Sequence, residues 1–120
     1  MAHTISYDSG MGCVILCIRG KITIEQIQGL APQVAHMLQE TNCRRLLNDM
    51  SAAVIEVSPV NLYRSPQIMD ESGIMRDTRR ALVLPADFRD ARFLEDVPRN
   101  RGHNLMVFTD VEKAKEWLLS

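Results

Sequence analysis

Short stretches of alternating and continuous apolar residues open the chain and predict two strands. Residues 4–8 place Ile5 and Tyr7 on one face, which is typical of a half-exposed edge strand. After the turn residues 9–12, the continuous apolar run Cys13–Ile18 predicts a strand that is buried on both faces. The fold is therefore expected to begin with a pair of strands.

The first helix is predicted to begin at Thr23. Thr23 can cap the helix while Gln26, three residues later, bonds back to the cap, which is the spacing of a capping box. Pro32 lies inside the helical pattern and is expected to bend the helix. Apolar residues at helical spacing predict the buried face, namely Ile27, Leu30, Ala31, Val34 and Leu38.

The middle of the chain predicts a short strand at 45–50 and then short helices. Ser58 and Ser65 each stand directly before a proline, and a capping hydroxyl before a proline is typical of a helix start. We therefore expect two short helices, or one broken helix, up to Ser72, with Gly73 as the stop.

Strands and helices alternate in the last third of the chain. Apolar runs at 81–84 and 105–108 predict buried strands, and a helical pattern over 87–101 separates them. Asp110 is the expected cap of a final helix, which packs on the sheet. Buried strands that alternate with helices predict an α/β domain, with a mostly parallel sheet of about five strands joined by helical crossovers.

Composition and charge narrow the classes of function. The 120 residues carry 14 Lys and Arg side chains against 15 Asp and Glu, a net charge of −1. This balance argues against a protein that binds nucleic acid by neutralising phosphates, since such proteins carry a basic excess. No repeat or linker divides the sequence, so we expect a single domain over residues 1–120.

The apolar runs and the cysteines indicate the compartment. The longest apolar run, Cys13–Ile18, is far shorter than the roughly 20 residues that span a bilayer, so no transmembrane segment is expected. Residues 1–4 lack the basic stretch and apolar core of a signal peptide. The three cysteines form no C-x-x-C pair, which favours buried, reduced thiols. We therefore expect a cytoplasmic protein that needs no disulfide.

The sequence contains no motif typical of an enzyme or a metal site. Its three histidines, His3, His36 and His103, have no second ligand at metal spacing. Phosphate-binding glycine loops and nucleophile elbows are absent from the sequence, and Ser51 has no base beside it. We therefore expect no metal, no cofactor and no enzymatic activity.

A candidate ligand pocket lies where methionines surround Gly73. Methionine fills irregular gaps and also lines adaptable binding surfaces, so core packing and a pocket under residues 66–78 are the two alternatives. The pocket would face the end of the strand predicted at 45–50, since ligands of open α/β sheets bind beyond the carboxyl ends of strands. Its candidate residues are Met50, Ile68, Met69, Ile74 and Met75.

A second candidate is a basic patch formed by Arg76, Arg79 and Arg80. Arginine recognises anionic groups through its planar donors, so this patch could meet an anionic headgroup or an acidic partner surface. The alternative is a solvated surface that pairs with nearby acidic residues.

Three passages of the chain resemble the SpoIIAA-like group of small bacterial proteins. They are Leu46–Asp49, Arg80–Leu84 and the tail from Asn100 to Leu118. This group is distantly similar to the STAS domains of anti-sigma-factor antagonists and to the CRAL-TRIO lipid carriers. The resemblance implies a sheet of about five strands flanked by helices.

The resemblance also implies an interaction or phosphorylation site. STAS antagonists carry a D-x-S segment and then a D-S-S-G stretch, whose first serine is phosphorylated. Asp49 and Ser51 match the first segment, and Ser58 falls at the phosphorylated position. The second stretch departs from the pattern, with Val57, Pro59 and Val60 in place of its aspartate, second serine and glycine.

Two functional hypotheses follow from these patterns. The first is a non-enzymatic, STAS-like interaction or regulatory module that binds an unknown protein partner around Ser58. The alternative is a carrier or sensor of a small apolar or lipid-like ligand. The sequence leaves the oligomeric state open, with a homodimer among the alternatives.

Overall fold

The computed structural model describes residues 1–58, 60–61, 64–88, 95–96, 99 and 102–120. Within them, five strands form one sheet in the order β1 to β5. The strands are β1 (Ala2–Asp8), β2 (Cys13–Thr23), β3 (Arg45–Glu56), β4 (Arg79–Val83) and β5 (Leu105–Phe108). Three helices lie within the same residues: α1 (Ile24–Glu40), α2 (Ser65–Ser72) and α3 (Val111–Leu119).

The sheet is mostly parallel, as the sequence predicts. β1 pairs with β2 in the antiparallel direction, and the pairs β2–β3, β3–β4 and β4–β5 are all parallel. Parallel neighbours require crossover connections, and α1 supplies the one between β2 and β3. The predicted α/β class is confirmed.

Alternation of side chains along each strand divides the core between the two faces of the sheet. On the face covered by α1 and α2, here called the α1 face, Leu46 of β3 and Leu82 of β4 join α1 and Ile74 in one cluster. On the opposite face, here called the α3 face, Leu47 packs with the helix residue Leu118. Neighbouring residues of one strand therefore belong to different cores.

The start of α1 is fixed by the predicted capping box. The Thr23 N–H donates to Gln26 Oε1 at 2.9 Å, and the Gln26 N–H donates to Thr23 Oγ1 at 3.4 Å. Both bonds pair a backbone N–H group that the start of a helix would otherwise leave without an acceptor. Pro32 lies within the helix. Among the described helices, none combines the length and the apolar character needed to cross a membrane.

β3 is twice as long as predicted, and the expectation that it ends at Met50 is wrong. It continues to Glu56 because its second half pairs with residues 19–23 of β2, beyond a bulge at Met50 and Ser51, where two β3 residues oppose one residue of β2. Gly20 has φ of 78°, a conformation that favours glycine, at this part of β2. Residues 19–23 and 52–56 thus form a two-stranded extension, here called the ribbon, past the last β3–β4 pair.

The start of α2 differs from the prediction. Arg64, not Ser65, is the N-cap residue, and its side chain makes no capping bond. Ser65 is the first helical residue, and its Oγ is buried with no hydrogen-bond partner among the described residues. The predicted stop is confirmed, since Gly73 has φ of 87° and follows the helix directly.

The last elements follow the sequence patterns closely where they are described. β4 begins two residues earlier than predicted, and β5 covers the predicted span. Asp110 caps α3, because its Oδ1 accepts the Glu112 N–H at 2.9 Å. Most of the helix predicted over 87–101 lies outside the described residues.

Candidate functional site

Asp49 and Ser51 share one face of β3, since they are two residues apart in a strand. The Ser51 hydroxyl donates to Asp49 Oδ1 at 2.7 Å, and the Ser51 N–H donates to the same oxygen at 3.1 Å. Asp49 pairs with Val83, which is the last pair of the β3–β4 ladder. The two residues therefore lie where β4 ends and the ribbon begins.

Ser58 lies two residues beyond the end of β3 and is exposed. Its Oγ accepts the Asn61 N–H at 3.3 Å, which is the bond expected of a capping serine. The strand continues for five residues after Ser51, to Glu56, a length of about 16 Å. The extended β3 therefore separates Ser58 from Asp49 and Ser51, which the sequence grouped at one strand end.

A cavity of about 90 Å³ lies between α1 and the α1 face of the sheet. Of the residues predicted for a pocket, Met50, Met69 and Ile74 line it. Ile68 is buried but does not line this cavity. Met75 is 57% exposed and lies in a different, shallower depression beside the end of α1.

The cavity wall is apolar except at two described positions, Asn48 and Arg80. Helix α1 contributes four of the five residues of its predicted buried stripe, all except Leu38, and β2 contributes Leu16 and Ile18. Arg80 is only 6% exposed, which is rare for a charged side chain. The two polar residues are diagonal neighbours, because Asn48 pairs with Leu82 and Leu46 with Arg80.

Arg79 and Arg80 point to opposite faces of the sheet. Arg79 lies on the α3 face, where its guanidinium stands 4.4 Å from the centre of the Trp117 ring. It also donates to the main-chain oxygen of Ser120 at 2.7 Å. Arg80 lies on the α1 face and is buried, so the predicted patch of three exposed arginines does not form, because β4 alternates between two covered faces.

The third arginine of that predicted patch, Arg76, pairs with Asp70. Arg76 donates to the Asp70 carboxylate at 3.0 Å, and this bond lowers the pKa of Asp70 below its usual range. Asp70 also faces His103, whose Nε2 lies 3.3 Å from Asp70 Oδ1. At this distance the contact is electrostatic and not a well-formed hydrogen bond.

His103 links the surface pair to the buried Arg80. The Arg80 guanidinium contacts His103 Nδ1 at 3.2 Å. A guanidinium can only donate, so Nδ1 accepts and the proton of the neutral imidazole sits on Nε2, facing Asp70. Burial, and after it the Arg80 charge, lowers the pKa of His103 below its usual value, which favours this neutral form.

Arg80 keeps its positive charge in this environment. Burial lowers the pKa of Arg80 to about 10, which is still well above neutral pH. Its described contact is the neutral His103, and the Asp70 carboxylate is one side chain further away. A buried charge without a counter-ion beside it among the described residues is costly, so the position of Arg80 is energetically unfavourable.

Two buried polar atoms at the cavity have no hydrogen-bond partner among the described residues. They are Asn48 Oδ1 and Arg80 Nε. More than nine in ten buried polar groups in proteins are hydrogen-bonded, so two unpaired atoms on one cavity wall are notable. A ligand with one polar group that hydrogen-bonds to both side chains would satisfy them.

The described residues offer no metal site, since they contain no cluster of three His, Cys, Asp or Glu side chains that could hold an ion. The cysteines are free thiols. Burial raises the pKa of the Cys13 thiol, which keeps it protonated and unreactive.

Sequence reasoning missed His103 as the partner of Arg80 and Asn48 as the second polar residue of the cavity. One signal was available: Arg79 and Arg80 open a strand that continues with apolar residues to Leu84. In a strand covered on both faces, one of two neighbouring arginines must point inward. The position of His103 gave no such signal, because it depends on the pairing of β4 with β5.

Two solved structures share the fold of this chain over nearly their whole length. An uncharacterized protein of the DUF3478 family from Shewanella loihica PV-4, with a SpoIIAA-like fold, superposes at a TM-score of 0.62 and 16% identity. That match covers 98% of this chain and 92% of the other. The fold is SpoIIAA-like. The unphosphorylated form of the anti-sigma factor antagonist SpoIIAA matches at a TM-score of 0.52 and 11% identity, over 97% and 96% of the two chains.

The resemblance noted in the sequence is thus confirmed at the level of the SpoIIAA-like fold. No protein-family model matches the sequence, and no curated protein matches it. At identities of 16% and 11% the likeness establishes architecture, while function has to be argued from the residues of this chain.

Proposed function

We propose that this chain is a non-enzymatic regulatory module that binds a protein partner through the surface around Ser58. The observation that carries the proposal is the SpoIIAA-like fold, which matches the anti-sigma factor antagonist over 97% of the chain. The resemblance to STAS antagonists implies a phosphorylated serine at the position of Ser58, which is exposed two residues beyond the end of β3.

The surface near Ser58 has the character of a protein-binding site. Val60, two residues after Ser58, is 72% exposed, and Val54 in the ribbon is 53% exposed. From Ala52 onward, β3 pairs only with β2 among the described residues, so its other edge carries unpaired backbone groups. Exposed apolar side chains beside an open strand edge favour docking of a partner segment.

Phosphorylation of Ser58 would regulate such docking. A phosphate adds a charge of about −2, and burying that charge against an apolar partner surface is costly. The exposed hydroxyl is accessible without unfolding. The modified protein would therefore keep its fold and release its partner.

The contacts of Ser51 support a role outside catalysis. Its hydroxyl donates to the Asp49 carboxylate, whereas a serine nucleophile is activated by a base that is itself held in place by a third group. Asp49 and Ser51 instead stiffen the point where the ribbon leaves the sheet.

Site-specific crosslinking in the native cells tests the proposal. A photoreactive residue at Val60 should capture one defined partner, while the same residue at Leu119, an exposed apolar position on α3, should not. Ser58→Asp should abolish the crosslink from position 60. The matched control is Ser9→Asp, which adds the same charge in the turn at the opposite end of β2. Equal capture from both positions, or an unchanged crosslink in Ser58→Asp, would refute the proposal.

A second candidate function is favoured by the cavity beneath α1. Its largely apolar wall and its two unpaired polar atoms suit a carrier or sensor of a small, mainly apolar ligand. This function uses the α1 face of the sheet, whereas the protein-binding surface lies at the ribbon, so one chain can combine both.

A further inference from the structure

The cavity combines an apolar body with one polar corner. Helix α1 and strands β2 and β3 supply aliphatic side chains, and Asn48 and Arg80 supply the polar groups among the described lining residues. Each of these two residues presents a buried atom without a hydrogen-bond partner, Oδ1 and Nε respectively. A ligand that matches this wall needs an apolar part and a single polar head.

The charge at the corner selects the head group. Arg80 is protonated and buried, and its described hydrogen bond goes to the neutral His103. Asp70, the carboxylate described beside His103, is already paired with Arg76 at 3.0 Å. An anion is therefore the group that would compensate the guanidinium, and a planar carboxylate fits the donor geometry of arginine best.

Asn48 can serve the same head group. Rotation of its amide by half a turn exchanges Oδ1 for Nδ2, so the side chain offers either an acceptor or a donor at the same place. A carboxylate could then accept from Arg80 Nε with one oxygen and from Asn48 Nδ2 with the other. Both unpaired positions would be satisfied at once.

We propose that the cavity is a binding site for a short-chain aliphatic carboxylate, held by Arg80 and Asn48 at its head and by α1 and the sheet along its tail. The inference deepens the second candidate function and rests on it. Its new content is the class of ligand and the two residues that recognise the charge.

Size limits the ligand to a short chain. The cavity measures about 90 Å³, whereas an engineered cavity of about 150 Å³ holds benzene, a molecule of six carbon atoms. On the same scale the cavity holds about four non-hydrogen atoms, which is the size of acetate, and a long-chain fatty acid or a phospholipid would not fit. Inorganic phosphate would leave the apolar wall unmatched.

Titration of the full-length protein with acetate and with acetamide tests the inference. The two molecules have nearly the same shape, and only acetate is charged. Methyl resonances of Met50, Met69 and Ile74, which line the cavity, report binding, and the exposed Met75 outside the cavity is the internal control. Ionic strength is held constant with sodium chloride.

We expect saturable shifts at the three cavity methyl groups and none at Met75, with acetate binding at least tenfold more tightly than acetamide. Arg80→Met should remove this preference. Arg79→Met, the neighbouring change on the opposite face, should retain it. If Arg80→Met fails to fold, the comparison of the two ligands on the unaltered protein decides the matter alone.

Two results would overturn the inference in different ways. Equal binding of acetate and acetamide at the cavity methyl groups would preserve a carrier of small ligands and refute the charged head. Absence of saturable shifts with both molecules would refute the carrier function together with the inference.

Discussion

Arg79 and Arg80 are neighbours in β4, yet they meet opposite conditions on the two faces of the sheet. Arg79 stacks on Trp117 and bonds to Ser120 at the rim of the α3 face. Arg80 is buried on the α1 face beside a cavity, and among the described residues its Nε has no hydrogen-bond partner and its guanidinium contacts a neutral histidine. One step along a strand thus separates a paired cation from one that no described carboxylate contacts directly.

The helices that cover the two faces differ in the same way. On the α3 face, Ala114 and Leu118 are 0% exposed and pack directly on the sheet. On the α1 face, Leu30 and Ala31 face the cavity of about 90 Å³. Native cores are close-packed and pair their buried polar groups, so a cavity and unpaired polar atoms on the α1 face support the ligand site proposed there.

The largest effect is expected from removing a side chain of the α3 face. Leu118→Ala should lower the free energy of unfolding by about 3–5 kcal/mol, because the surrounding core cannot collapse into the space left behind. Urea denaturation measures the loss. Leu119→Ala, at the exposed neighbouring position, is the control and should change stability by less than about 0.5 kcal/mol. A loss below about 1 kcal/mol for Leu118→Ala would contradict tight packing of this face.

Enlarging one alanine on α1 and one on α3 compares the packing of the two faces directly. Ala114→Leu adds three carbon atoms to a filled core and should destabilise the protein by about 1–3 kcal/mol. Ala31→Leu adds the same atoms next to the cavity and should leave stability unchanged or raise it, since the apolar group gains burial. Equal losses in urea denaturation for the two variants would show that the faces are packed alike.

A smaller effect is expected at Arg79. Arg79→Met removes the stack on Trp117 and the bonds to Ser120, and should cost about 0.5–1 kcal/mol because the site is only half-buried. Arg80→Met removes a buried uncompensated charge and should cost less than Arg79→Met, or stabilise. A larger loss for Arg80→Met, measured by urea denaturation, would mean that the guanidinium is well compensated in the fold.

The smallest effect concerns pH. The pKa of His103 is lowered in the folded state, first by burial and then by the Arg80 charge. The unfolded chain therefore binds more protons below about pH 6.5, so stability should fall as the pH drops from 7.5 to 5.5. His103→Gln keeps an acceptor for Arg80 and should flatten this dependence. The same slope in both proteins would rule out His103 as its source.

Local signals in the sequence predicted the elements whose ends are fixed within a few residues. Thr23 and Gln26 form the expected capping box, Asp110 caps α3, and Gly73 stops α2. Each depends on a bond or a backbone angle within one helical turn, which a short stretch of sequence encodes completely.

Features that depend on distant parts of the chain could not be predicted in this way. β3 extends past Met50 because β2 offers a partner for its second half, and the sequence around Ser51 does not contain that information. The candidate site also depends on pairing between strands that are distant in the sequence. Arg80 meets His103 only because β4 pairs with β5, and Asn48 reaches the same cavity through the β3–β4 register.

A crystal structure of the protein soaked in sodium iodide tests the central comparison most directly. Iodide is a compact, polarisable anion, so it can enter a small apolar cavity only where a positive charge compensates its desolvation. We predict one ordered iodide in the cavity beneath α1, in contact with the Arg80 guanidinium, and none in the core of the α3 face. A cavity closed by neighbouring side chains, or iodide confined to the outer surface, would contradict the account.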